Sequence, residues 1–218
     1  MQHLFLKVSI FFIFSFIFAF CIIGQEEEMV RLPEPQTSGG KPLMEALKER
    51  ESSRSFSSAE LSKQQLSDLL WAAFGISRPE SGLRTAPSAM NTQDIDIYVV
   101  MAEGWYLYDH ESHALVLKGK SDIREFTGLQ EFVKTAPVNL VFVSDFTKLS
   151  DRMDEDTKKF YASNHAGYIS QNVYLYCASE GLATVVRGAI DRDKIHKTLN
   201  LEDHQHVIFA QTVGYPGE

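Results

Sequence analysis

Val138-Asn-Leu-Val-Phe-Val-Ser144 is the stretch on which the fold turns. A near-continuous apolar run of this length reads as a strand in the middle of a sheet, buried on both faces. Upstream, Asp94-Ile-Asp-Ile-Tyr-Val-Val-Met101 alternates as a strand with one buried face does, and Trp105 to Leu117 reads as two strands joined by a polar turn. Downstream the period becomes helical from about Asp151 to Glu180. Ala162, Ala166, Ile169, Val173 and Cys177 share one face there, and Gly181 is the stop. Leu182 to Arg187 then reads as an extended crossover, Arg192 to Leu199 as a short helix and His206 to Gly214 as a last strand.

Further out, Pro42 opens a helix over Leu43 to Arg50, with Leu43, Ala46 and Leu47 on one face. Ser62 and Gln65 form a capping-box signature ahead of Leu66, Leu69, Leu70, Ala73 and Phe74, and Gly75 ends that helix. Strands bracketed by long helices in mixed order predict one α+β domain over residues 42–218. Residues 25–41, with Pro33, Pro35, Gly39 and Gly40 and no period, read as a leader arm. There is no internal repeat.

Residues 1–24 read as a signal peptide: Lys7 precedes an apolar run from Val8 to Ile23 that is shorter than the roughly 20 residues of a spanning helix. The expectation is an exported, periplasmic protein, with an uncleaved N-terminal anchor in the membrane as the alternative. Lipidation at Cys21 is the weaker reading, because Phe20 stands where a small residue is wanted. Cleavage removes Lys7 and no acid, taking the net charge from -8 to -9. An acidic chain with no basic tract argues against nucleic acid as a partner. Of two cysteines only Cys177 would remain, so no internal disulfide forms, and its apolar helical setting reads as a core thiol.

Three segments carry chemistry. In Arg50-Glu-Ser52-Ser-Arg54 two guanidiniums and a hydroxyl alternate on an extended stretch, which suits a phosphate or another anion. In Arg84-Thr-Ala-Pro87-Ser88-Ala-Met-Asn91-Thr-Gln93, a helix-start signal precedes paired amide side chains of the kind a planar heterocycle needs. Gly181 to Ala189 is an apolar crossover ending in Arg187-Gly188, where glycine permits close approach to a ligand. Each segment alone also reads as an ordinary charged turn, capped turn or buried strand. His110 and His113, like His204 and His206, lack a third ligand at metal spacing, so no metal is expected.

In this order, Arg50, Ser52 and Arg54, then Pro87, Ser88, Asn91 and Gln93, then Ala178, Gly181 and Leu182, and finally Val213-Gly-Tyr-Pro216 resemble the FMN-dependent nitroreductase family. Leu70 to Gly75 and Arg84 to Ser88 look closest to its SagB-like branch, whose members include dehydrogenases that oxidise azoline rings. The resemblance implies a nitroreductase-like fold, with a central, mainly antiparallel sheet flanked by helices. It also implies a homodimer with FMN at the subunit interface. Arg50 and Arg54 would face the phosphate and pyrimidine side with Ser52 assisting, Asn91 would bind the ring edge, and Pro87 and Ser88 join the cofactor-binding set. The backbone around Arg187 and Gly188, as far as Ala189, would approach the flavin N5 and O4. His165 lies on the long helix where the family turns side chains toward the cavity, and is the candidate substrate contact. The implied reaction passes a hydride or electron pair to or from a nitroaromatic, quinone or similar conjugated small molecule. A basic C-terminal arm is common in the family, whereas this sequence ends Gly217-Glu218, and Glu51 stands where many members have a second base. Arg187 or Arg84 is expected to supply the missing charge. The alternative is a flavin-binding scaffold without turnover.

Overall fold

The elements, in chain order, are β1 (Met29–Arg31), α1 (Leu43–Glu49), α2 (Lys63–Phe74), β2 (Ile76–Arg78), β3 (Leu83–Arg84), β4 (Ile95–Met101), β5 (Gly104–Asp109), β6 (Ala114–Gly119), β7 (Val138–Asp145), α3 (Glu155–Glu180), β8 (Ala183–Arg187), α4 (Arg192–Thr198) and β9 (Gln205–Gly214). The structure, a computed structural model, describes residues 28–217. The signal-peptide and Cys21 expectations lie outside the described residues.

One seven-stranded sheet runs β1-β6-β5-β4-β7-β9-β8, with every neighbouring pair antiparallel. The α+β class is as the sequence pattern predicts, and the antiparallel sheet as the resemblance implies. β7 is the central strand. Val138, Leu140 and Phe142 join Ile95, Ile97 and Val99 of β4 against α2 and α3, while Val141 and Val143 join Tyr98 and Val100 against α4. Two cores on two faces explain why the run at Val138 shows no polar alternation. Each such fully buried side chain is worth roughly 1.5–3 kcal/mol of transfer free energy.

The local signals hold where they are self-contained. Gln65 donates its backbone N–H to Ser62 Oγ (3.1 Å), and Ser62 N–H donates to Gln65 Oε1 (3.0 Å), closing the capping box of α2. Such a cap is worth about 1 kcal/mol. Gly181 ends α3 at φ 67, the left-handed conformation in which a side chain would be strained.

Three differences have physical causes. The leader arm contributes β1, whose three residues pair with Ala114 to Val116 of β6; three residues are too few to show a period. β2 and β3 form a separate hairpin braced by the Arg78 guanidinium on the Arg84 carbonyl (2.9 Å), a contact invisible to periodicity. On α1 only Ala46 is buried, and Leu43 and Leu47 stay 62% and 43% exposed, so its apolar face has no partner within the described chain.

Candidate functional site

The α1 helix ends at Arg50, whose backbone N–H donates to Ala46 O, and the chain then runs extended along the sheet edge. Ser53 N–H donates to Thr184 O of β8 (3.0 Å), and Ser57 N–H to Tyr215 O (2.9 Å). With the amide of Ser53 turned inward, Ser52 and Arg54 are exposed and Arg50 is half-buried. Ser52 Oγ bonds the Tyr174 hydroxyl (2.7 Å), which also accepts the N–H of Val186 (3.0 Å). The Arg50 guanidinium lies 5.4 Å from the centre of the Tyr174 ring. Tyr174 thus ties α3, β8 and the arginine stretch together.

Beside it lies a hollow of about 220 Å³ lined by Gly167, Ser170, Gln171 and Tyr174 of α3, by Val186 to Gly188, and by Phe209. A Cβ built on Gly167 would meet nothing within 4 Å, and one on Gly188 only the Phe209 ring at 3.9 Å. Two glycines therefore leave part of the floor bare of side chains. A planar aromatic group suits that floor, with Ser52 and Arg50, both in contact with Tyr174, beside it for an anionic or carbonyl edge. These residues fit part of an FMN.

The Arg187 guanidinium does not enter this hollow. Along β8, Arg187 pairs with Ala210 of β9, a member of the α4-side core, so its side chain leaves by the face opposite α3. It donates to Thr127 O (2.7 Å) and Asn139 Oδ1 (3.0 Å) and is 5% exposed. Arg84, the other arginine expected to supply charge, donates from Nε to Gln93 Oε1 (2.9 Å), contacts His110 Nε2 (2.5 Å) and lies over Phe74. Burial pulls it down to about 10, still protonated near neutrality. Both guanidiniums are committed to interior partners, which corrects the expectation that either reaches a phosphate.

Pro87 to Gln93 is built differently. Ser88 Oγ accepts the N–H of Gln93 (2.9 Å), closing a short 3-10 turn over Ala89 to Asn91. Met90, Asn91 and Gln93 have φ of 53, 53 and 47. Left-handed conformations cost roughly 1–2 kcal/mol per non-glycine residue, so three in one turn need external support. His165 supplies it: Ala89 N–H donates to Nε2 (2.8 Å), which fixes that nitrogen as the acceptor. Nδ1 then carries the proton toward Asp94 Oδ1 (2.6 Å). Asp94 also accepts from Thr92 Oγ1 (3.0 Å) and Ser144 Oγ (2.6 Å). Burial pushes the Asp94 carboxyl up, but the bonds from His165, Ser144 and Thr92 outweigh it and hold the group below the usual range.

His165 is 1% exposed with both ring nitrogens occupied, so the structure places it under the turn rather than against a substrate. Its position also separates the motifs. Nine residues divide His165 from Tyr174, which at about 100° and 1.5 Å per residue is half a turn around α3 and roughly 13 Å along it. Arg50, Ser52 and Gly188 gather on the Tyr174 flank, and Ser88 and Asn91 on the His165 flank. Within one chain they do not converge.

Tyr174 and Asp94 are absent from the sequence expectations. Tyr174 is masked by the apolar helical run around Val173, and Asp94 by its place at a strand start. Two further histidines also have partners: His113 bonds Ser67 Oγ (2.7 Å) and the Tyr108 hydroxyl (2.8 Å), and His206 stacks on Phe146 at 3.9 Å. Cys177 is fully buried, and burial pushes its thiol well up, out of reach of a thiolate at neutral pH. A separate apolar cavity of about 210 Å³, lined by Leu32, Leu61, Leu66, Met101 and Tyr106, lies near β1 and includes none of the motif residues.

Comparison with known proteins adds three findings. A model described as the nitroreductase family matches residues 47–215. A protein of Methanocaldococcus jannaschii, provisionally named a nitroreductase, is 31% identical over 172 residues, covering 74% of this chain and 86% of its own. Among solved structures, a provisionally named nitroreductase of Ralstonia eutropha JMP134 is 40% identical with a TM-score of 0.83, covering 90% of this chain and 93% of that one. One described as an NAD(P)H:FMN oxidoreductase of Staphylococcus epidermidis shares the fold at 15% identity and a TM-score of 0.61, covering 84% and 92%.

Proposed function

The chain belongs to the nitroreductase family, and from that premise we propose that it is an FMN-dependent oxidoreductase acting on a nitroaromatic, quinone or similar conjugated small molecule. The observation that carries the reading is the bare floor at Gly167 and Gly188 with Ser52 and Arg50 at its rim, joined through Tyr174. Bound there, FMN supplies the electron-pair chemistry; the chain orients it, excludes water and places positive charge at its electron-rich edge. Few side chains then need be catalytic, in keeping with a hollow lined by glycines, Ser170, Gln171, Tyr174 and apolar residues.

The working unit in this reading is a homodimer. Ser88 and Asn91 sit half a turn around α3 from the hollow, so one flavin touches both sets only if two chains contribute. The exposed Leu43, Met44 and Leu47 of α1, Met90 of the strained turn, and Phe160 and Tyr168 of α3 offer the apolar surface such a pairing would cover. The likeness of Leu70 to Gly75 and Arg84 to Ser88 to the SagB-like branch supports oxidation of substrate as readily as reduction. The apolar run Val8 to Ile23 supports export to the periplasm.

The test is to purify the chain, titrate it with FMN and record its spectrum and sedimentation. A yellow dimer whose flavin is bleached by a reductant and restored by a nitroaromatic or quinone supports the proposal. A chain that gains no flavin absorbance sinks it. Bound flavin that no donor or substrate can reduce makes the chain a scaffold.

A further inference from the structure

Arg187 is an expensive residue to keep where it is. Its guanidinium is sealed between β7, β8 and the segments around Thr127 and Phe132, with the Phe132 ring 6.0 Å away. The partners it has are neutral: the Thr127 carbonyl and Asn139 Oδ1, the latter also accepting from Thr212 Oγ1 (2.6 Å). Nε is buried with no hydrogen-bond partner, and so is Gln130 Oε1 nearby. Among the described residues no carboxylate pairs with it. Burial alone pulls it down to about 10, which leaves it charged at any ordinary pH. The cavity around it is shaped for it, since a Cβ on Gly128 would collide with Nη1. A buried cation without a counter-charge is costly, and replacing it with an apolar residue of like volume is commonly neutral or stabilising.

Its placement supplies a reason for keeping it. The backbone of Arg187 and Gly188 lines the hollow on the α3 face, while the guanidinium sits on the opposite face of the same edge strand. One layer of backbone separates the charge from the floor, with no bulk water between to screen it. We propose that Arg187 sets the reduction potential of the bound flavin from behind the sheet, as a fixed positive charge that favours the electron-rich form. This rests on the hollow being the FMN site. Arg187 is a positioning and tuning residue: it touches neither flavin nor substrate.

The test uses the full chain loaded with FMN and reads the midpoint potential by dye-equilibrated spectroelectrochemistry, alongside FMN affinity and melting temperature. Arg187→Met removes the charge and keeps the volume. Asn139→Asp keeps the guanidinium and sets a carboxylate against it, so the experiment survives if the first variant fails to fold. Both are expected to retain oxidised FMN and to lose about tenfold affinity for reduced relative to oxidised FMN, a midpoint about 30 mV more negative for a two-electron couple. Arg187→Lys, which keeps the charge, is expected to stay near the wild-type midpoint. A purely structural Arg187 would move melting temperature and leave the midpoint unchanged in Asn139→Asp, and that result overturns the proposal. Failure of the wild type to bind FMN overturns the site assignment itself, and is told apart because no midpoint can then be read.

Discussion

On one flank of α3, Arg50 and Arg54 hold their charges toward solvent on a stretch anchored by its amides. On the other, Arg84 is stacked, hydrogen-bonded and buried beneath a turn with three left-handed residues. The same side chain does opposite work in the two places. At the rim of the hollow its donors are unspent and can meet a ligand. Beneath the turn they are spent on Gln93 and His110, and hold a strained backbone that presents Ser88 and Asn91. Strain gathered at one turn and supported from below marks a surface shaped in advance for a partner or ligand. Exposed charge on an anchored stretch marks one that leaves its donors open to an anionic ligand.

The contrast predicts that damage on the His165 flank falls on stability and damage on the Tyr174 flank on affinity. The sharpest break is Asp94→Ala, which leaves the His165 Nδ1–H and the Ser144 hydroxyl buried without acceptors. It should cost about 3 kcal/mol in denaturant unfolding; a loss under 1 kcal/mol would mean the turn carries itself. The same carboxyl fixes a pH dependence. Its folded value lies below the ordinary 3.8, so its contribution is complete above about pH 5 and is lost as pH falls through the folded value. Asp94→Asn should flatten that acid limb.

Next in size, Arg50→Ala and Arg54→Ala should each weaken FMN binding by about tenfold to a hundredfold, the worth of a charge-assisted bond. Their stability should change by less than about 0.5 kcal/mol. Equal losses in affinity and stability would erase the difference between the flanks. Ser52→Ala releases the Tyr174 hydroxyl and should cost about 1 kcal/mol of affinity or stability, read by titration and melting. The smallest effect expected is a gain: Met90→Gly relieves a φ of 53 at the expense of chain entropy, for a net of about 0.5 kcal/mol in favour of folding.

What the sequence shows of all this follows the reach of each interaction. The Ser62–Gln65 box spans three residues and is legible outright, as are the double-faced strand at Val138 and the stop at Gly181. The motif residues Arg50, Ser52, Ser88 and Asn91 stand out in order, but nothing local says that they lie on opposite flanks of a helix. The groups that organise each flank are joined across long separations: Asp94 to His165 over 71 residues, Ser52 to Tyr174 over 122. Periodicity is blind to such pairs. Nor does a resemblance along the chain say which face the His165 and Arg187 side chains take, since a residue's distance from a motif carries no such information. Leu43 and Leu47 err the other way: their helical face is real, and among the described residues nothing covers it.

The fit of Arg187 against Gly128 also constrains how this protein can change over time. A side chain at position 128 collides with Nη1 while Arg187 is present, whereas a smaller residue at 187 leaves only the end of the Gln130 side chain, 2.9 Å from such a Cβ, to move aside. The two positions are therefore coupled in a directed way: loss of the arginine can come first and open position 128, but the reverse order passes through an overpacked interior. Lineages that have given up the buried cation should be free to fill position 128, and those that retain it should hold glycine there, so the pair serves as a historical record of whether the charge was worth keeping.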